Sequence, residues 1–161
     1  MIVGGGCRGR RLAAQLVGEG HAVRISTRSE AGRAAIEAAG AQCWIGTPDR
    51  LATLRGALDS VTVLCWMLAS ASGPARELAE LHSTRLEFFL TQAIDTTVRG
   101  VVYEASRLDA ADPVLTQAER IAVELTSRNA IPAVLVRAAP DDAAGWLLEA
   151  GDAVRVLLAG R

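Results

Sequence analysis

Gly4, Gly6 and Gly9 stand in the pattern G-x-G-x-x-G directly after the apolar pair Ile2-Val3, and a helical pattern over residues 10–18 follows. Glycines at that spacing suit the holding of a pyrophosphate. The first allows a tight turn, the second lets backbone approach the phosphate oxygens, and the third lets the helix pack closely on the strand. The unpaired N–H groups at the start of the following helix, with its dipole, complete an anion site. Cys7 and Arg8 fill the two positions before Gly9. Arg8 offers a cation to a phosphate, and Cys7, beside it at a helix start, has surroundings that favour a thiolate, although a small residue in a tight loop explains it more simply. A glycine cluster after a strand is also an ordinary turn, so the neighbouring elements decide between the readings.

Residues 22–26 alternate as a second strand around Val23 and Ile25, and Thr27-Arg28-Ser29 follows. At that place an Asp or Glu would accept hydrogen bonds from the ribose of NAD, whereas an Arg accommodates the 2′-phosphate of NADP. Arg28 therefore favours NADP(H) over NAD(H), with Thr27 beside it, Ser29 adding a hydroxyl and Arg8 a second cation. The competing reading of Arg8 and Arg28 is a solvated surface charge; two positions pointing to one ligand favour the site. His21 lies in the turn at the far end of the strand and reads as a turn residue.

The elements that must position these residues alternate. Leu12, Leu16 and Val17 make one stripe of a first helix that stops near Gly18. Residues 30–39 are Ala-rich and helical, with Ser29 as N-cap and Gly40 as stop. A third strand covers 42–45. Thr47-Pro48 reads as an N-cap with Pro at N1, opening a helix through Leu51, Leu54 and Leu58. Residues 61–66 form a continuous apolar run, expected of a strand buried on both faces. The loop from Leu68 to Pro74 then leaves the carboxyl end of that fourth strand, where open α/β sheets bind ligands. Residues 74–94 are helical, broken near His82-Ser83; 100–105 are a fifth strand; Asp112-Pro113 opens a helix; 133–136 are a sixth strand; and the tail reads as a helix capped by Asp141 or Asp142, with a strand from Asp152 to Leu158 as the other reading. This predicts one domain over 1–161, an α/β doubly wound parallel sheet of about six strands, order 3-2-1-4-5-6, with helices on both faces.

Composition excludes other chemistries. All 17 basic residues are Arg, and Tyr103 is the only Tyr, so a Lys Schiff base, a P-loop Lys and a Tyr-x-x-x-Lys pair are impossible. A net charge of −1 argues against nucleic acid, the lack of a long apolar run argues against a membrane, and the N-terminus has no signal-peptide layout, so a cytoplasmic protein is expected. Cys7, Cys43 and Cys65 form no metal or disulfide pattern, and no metal site is expected. Phe88-Phe89 reads as core or dimer contact, which puts a homodimer among the expected partners.

The chain resembles the atypical short-chain dehydrogenase/reductase proteins, an epimerase-like group with the Rossmann fold. The resemblance rests on Gly4-x-Gly6-x-x-Gly9, on Thr27-Arg28-Ser29, on Val101 to Ser106 as a fifth strand ending in Ser, and on Glu124 with the strand Ile131-Pro132-Ala133-Val134-Leu135-Val136-Arg137. It implies an NAD(P) cofactor. Active relatives use a Tyr and a Lys, the Lys lowering the Tyr pKa for proton exchange with substrate. Aligning Glu124 with the family's Glu puts Thr116 in the Tyr position and Arg120 in the Lys position, and Ser106 in that of the substrate-positioning Ser. Glu104 is a further candidate proton donor if buried, a surface or salt-bridged carboxylate being the other reading. Val3 replaces the first glycine of the commoner G-x-x-G-x-x-G loop, and only three residues precede the glycines, as in a chain shortened at its start.

Three functions follow as expectations. The first is a dinucleotide-binding protein without standard dehydrogenase chemistry, acting as a cofactor-responsive or protein-binding module. The second is an NADPH-dependent reductase of flavin or quinone type that hands hydride to a small-molecule acceptor and takes its proton from solvent. The third is a fold relic that binds no nucleotide.

Overall fold

The computed structural model describes residues 1–106, 112–139 and 141–160. Six parallel strands, β1 (Ile2–Val3), β2 (Arg24–Thr27), β3 (Gln42–Ile45), β4 (Val63–Trp66), β5 (Gly100–Glu104) and β6 (Ala133–Val136), form one sheet of order β3-β2-β1-β4-β5-β6. The order is the one expected from the alternating pattern. Among the described residues seven α-helices connect and cover the strands: α1 (Cys7–Gly18), α2 (Arg33–Glu37), α3 (Ala52–Arg55), α4 (Ala75–Leu81), α5 (Thr84–Ile94), α6 (Pro113–Arg128) and α7 (Ala143–Ala159).

The two-residue side-chain period of a strand divides the core. Ile2, Ile25, Cys65 and Val102 face one side, where Leu12 and Leu16 of α1, Ile36 of α2 and Trp146, Val154 and Leu157 of α7 meet them. Val3, Leu64, Trp66, Val101 and Tyr103 face the other, against Leu54 of α3, Leu86, Phe89 and Leu90 of α5, and Ala118 and Ala122 of α6. Every residue of β4 and β5 is buried, for β4 as its continuous apolar run requires. Although β1 is only two residues long, it pairs with both β2 and β4, and Met1 extends the ladder, its carbonyl accepting from Cys65 N–H at 2.8 Å.

Several local expectations are corrected. Helix α1 starts at Cys7 rather than at Arg10, because Arg10 N–H bonds to the Gly6 carbonyl and closes the first turn inside the glycine loop. The segment after β2 is a tight 3-10 turn at Glu30–Gly32 followed by the short α2, and Ser29 makes no side-chain capping bond. Thr47 does not open a helix. Its hydroxyl bonds Asp49, Arg50 N–H returns to the Thr47 carbonyl, and helix begins only at Ala52. Local side-chain bonding of this kind competes with helix. The Thr53 carbonyl is taken by Trp44 Nε1 at 2.8 Å, and the chain tightens into 3-10 at Gly56–Leu58. The break between α4 and α5, the Asp112 cap and the helical tail all match expectation; Asp112 Oδ1 accepts from Val114 N–H, and Asp142 accepts from Gly145 N–H.

Candidate functional site

At the carboxyl ends of β1, β2, β3 and β4 the chain leaves a cleft of about 560 Å³. One wall is the glycine loop. Gly4 has φ +130°, and a Cβ there would run into the Met67 carbonyl oxygen. A Cβ at Gly9 would run into the Gly4 carbonyl oxygen, which is how closely the first turn of α1 packs on the end of β1. Gly6 differs from both: a Cβ there meets no atom within 4 Å, so its bare backbone borders open cleft. No side chain caps the N-terminus of α1, and no acidic residue stands in its first turn, which leaves its free N–H groups for an anion. Arg10 braces the loop from behind, Nη1 donating to the Gly5 carbonyl at 2.7 Å.

Gly4, Gly6, Cys7, Arg8, Gly9, Thr27, Arg28 and Leu68 all line the cleft. Ser29 is exposed beside Arg28 and is not on the wall. Arg28 is exposed and has no ion-pair partner among the described residues, whereas Arg8 turns the other way, toward β5. Its Nη1 lies 3.1 Å from Glu104 Oε1, and its guanidinium stacks 5.2 Å from the centre of the Trp146 ring. That is an ion-pair distance without a hydrogen bond, because the buried Nη1 is not aimed along the contact.

Glu104 is 1% exposed and forms the floor of this end. Trp146 Nε1 donates to its Oε1 at 2.8 Å, and Ala69 N–H, in the loop after β4, donates to Oε2 at 2.9 Å. Burial pushes the carboxyl above the ordinary carboxylate range; Arg8 and the two N–H donors pull it back only in part. The carboxylate is thus both buried and salt-bridged, joining two readings that the sequence leaves as alternatives.

The other catalytic candidates lie elsewhere. Ser106 is buried, its hydroxyl 3.5 Å from the Val136 carbonyl, and Thr116 and Arg120 are exposed on α6, Thr116 donating to the Asp112 carbonyl and Arg120 bonding Gln117. None of the three is on the cleft wall. Sequence reasoning missed Trp146 and the Arg85–Asp49 ion pair at the rim, which also draws in Glu80 at 3.0 Å. Nothing in their local spacing marks them, since their partners are remote in sequence. Cys7 is exposed and Cys65 is buried, its thiol pushed up to about 11 by burial. Among the described residues no cluster suits a metal ion, and no helix is long and apolar enough to cross a membrane.

No family model and no curated protein matches the chain. Solved structures do. The triphenylmethane reductase of Citrobacter sp., complexed with NADP(H), is 17% identical with a TM-score of 0.64 over 84% of this chain and 48% of that one. A short-chain dehydrogenase/reductase superfamily protein from Agrobacterium tumefaciens with bound NAD is 18% identical with a TM-score of 0.66 over 84% and 47%. The UDP-glucuronic acid 4-epimerase of Bacillus cereus, in complex with a UDP-sugar and NAD, is 11% identical with a TM-score of 0.64 over 84% and 55%. The fold is therefore that of the short-chain dehydrogenase/reductase and epimerase-like proteins, and the chain spans about half the length of these structures.

Proposed function

We propose that the cleft binds a nicotinamide dinucleotide, NADP(H) in preference to NAD(H), and that the chain acts as a cofactor-responsive or binding module without Tyr/Lys dehydrogenase chemistry. The observation that carries this is the contrast among the three glycines. Gly4 and Gly9 have no room for a side chain because backbone crowds them, whereas Gly6 has room, its bare backbone facing the open cleft where a pyrophosphate would approach. The N–H groups of the first turn of α1 would hold the phosphates, Arg28 the 2′-phosphate, and Leu68 with its loop the nicotinamide half. Bound there, a dihydronicotinamide supplies a hydride. The fold's occurrence in structures holding NADP(H) or NAD supports the same reading.

A second reading, an NADPH-dependent reductase of flavin or quinone type, is favoured by the open cleft, where solvent has access as proton source, and by a structural neighbour that is a reductase. Calorimetric titration with NADPH and NADH, in the native chain and in Arg28→Ala, tests the proposal. NADPH should bind, and the variant should lose about tenfold in NADPH affinity, or about 1.4 kcal/mol, with little change for NADH. Equal losses for both nucleotides remove the NADP preference, and no binding of either leaves the glycine loop as a fold relic. Sustained NADPH oxidation with quinone, flavin or triphenylmethane acceptors replaces the module by the reductase.

A further inference from the structure

Arg8 stands between two anionic claims. On one side it is, among the described residues, the only charged group against Glu104: α7 presents Trp146 and the loop after β4 presents the Ala69 N–H. Charges after β6 and on α7 are engaged elsewhere, Arg137 with Glu119 at 2.8 Å and Glu149 with the N–H groups of Arg137 and Ala138. On the other side Arg8 springs from the first turn of α1, inside the loop whose backbone faces the cleft. Its hold on Glu104 is an undirected ion pair that leaves a buried N–H without an acceptor. A phosphate oxygen entering the loop offers that N–H a directed, charge-assisted bond, which is the stronger contact.

Resting on the dinucleotide reading above, we propose that Arg8 is exchanged between Glu104 and the phosphates of the incoming ligand, and that Glu104 takes up a proton from solvent when Arg8 leaves. The balance is simple: the guanidinium keeps its charge and transfers its pairing to phosphate, one solvent proton moves to a Glu104 oxygen, and no electrons move. Glu104 then has only the N–H groups of Ala69 and Trp146 against the cost of burying its charge, and these neutral donors do not offset it. The result is a neutral carboxyl, able to donate a hydrogen bond, at the floor of the cleft whenever ligand is bound. Ligand binding is thereby coupled to proton binding.

The test is NADPH titration by calorimetry in buffers of different ionisation enthalpy, between about pH 6 and 8, on the native chain and on Glu104→Gln. The buffer dependence yields protons taken up per NADPH bound. The ligand's own 2′-phosphate titrates alike in both chains, so the native chain should take up more protons than the variant, by a difference approaching one. Infrared difference spectra of the native chain should show a protonated-carboxyl stretch rising with NADPH, and Arg8→Gln should carry that proton before ligand is added and show no rise. Should Glu104→Gln not fold, the infrared comparison of the native chain and Arg8→Gln decides. Equal proton numbers in the two chains, or no carboxyl band, overturn the exchange while leaving dinucleotide binding in place. Failure of NADPH to bind at all overturns both.

Discussion

His82 shows how little a residue's type reveals before its neighbours are known. In the sequence it marks only a break between two helices; in the fold it is 4% exposed, with Nδ1 2.9 Å from the hydroxyl of Tyr103. Burial lowers its pKa, outweighing the nearby Leu68 backbone and the charge of Asp112, both of which raise it. A histidine kept neutral in the fold contributes stability that is complete above its unfolded pKa of about 6.5 and is lost as pH falls from there through the lowered folded value. Resistance of the native chain to denaturant should therefore fall as pH falls over that range, and His82→Gln should flatten the slope. An unchanged slope in the variant would assign the loss to other groups. Arg28 and Glu104 belong to this scale too: the type and position of Arg28 suffice to nominate it, whereas the role of Glu104 depends on three partners that no spacing rule connects to it.

At the scale of elements the glycine loop makes the sharpest prediction. Gly9→Ala forces a Cβ against the Gly4 carbonyl and should cost about 2–4 kcal/mol of unfolding free energy. Gly6→Ala places its methyl in open cleft and should change stability by no more than about 0.5 kcal/mol, yet weaken NADPH at least about tenfold. A thermal melt and a binding isotherm on each variant separate the two roles, and equal destabilisation by both would contradict them. Elements with strong local signals were legible: Asp112-Pro113 caps and opens α6, Asp142 caps α7, and the apolar run of β4 is buried throughout. The segment 47–58 was not, because Thr47 spends its hydroxyl on Asp49 and Trp44 claims the Thr53 carbonyl. The second of those contacts exists only once β3 lies beside α3, so a Leu spacing that suits a longer helix yields one turn.

At the scale of the whole molecule Trp146 joins the last helix to the first and to the sheet. It is buried in the core shared by α1 and α7, stacks on Arg8, and donates to Glu104. Trp146→Ala should cost about 3–5 kcal/mol through the cavity alone. Trp146→Phe keeps most of the packing but leaves Glu104 short of a donor, a loss of about 1–3 kcal/mol. Denaturant midpoints that place Phe no better than Ala would assign the whole effect to the hydrogen bond.

The order of residues by itself determined the alternation of strand and helix, and with it the sheet order, because the apolar periods, caps and glycine stops act within a few residues of one another. It also determined the glycine loop and the Arg after β2, since both are read at fixed spacings along one βαβ unit. Only the tertiary structure decided that Arg8 faces Glu104 and Trp146 instead of joining Arg28. A long side chain's partner is settled by which helix packs over which strand end. Arg8, Ala69, Glu104 and Trp146 are brought to one point by the register of the sheet and the docking of α7 on α1.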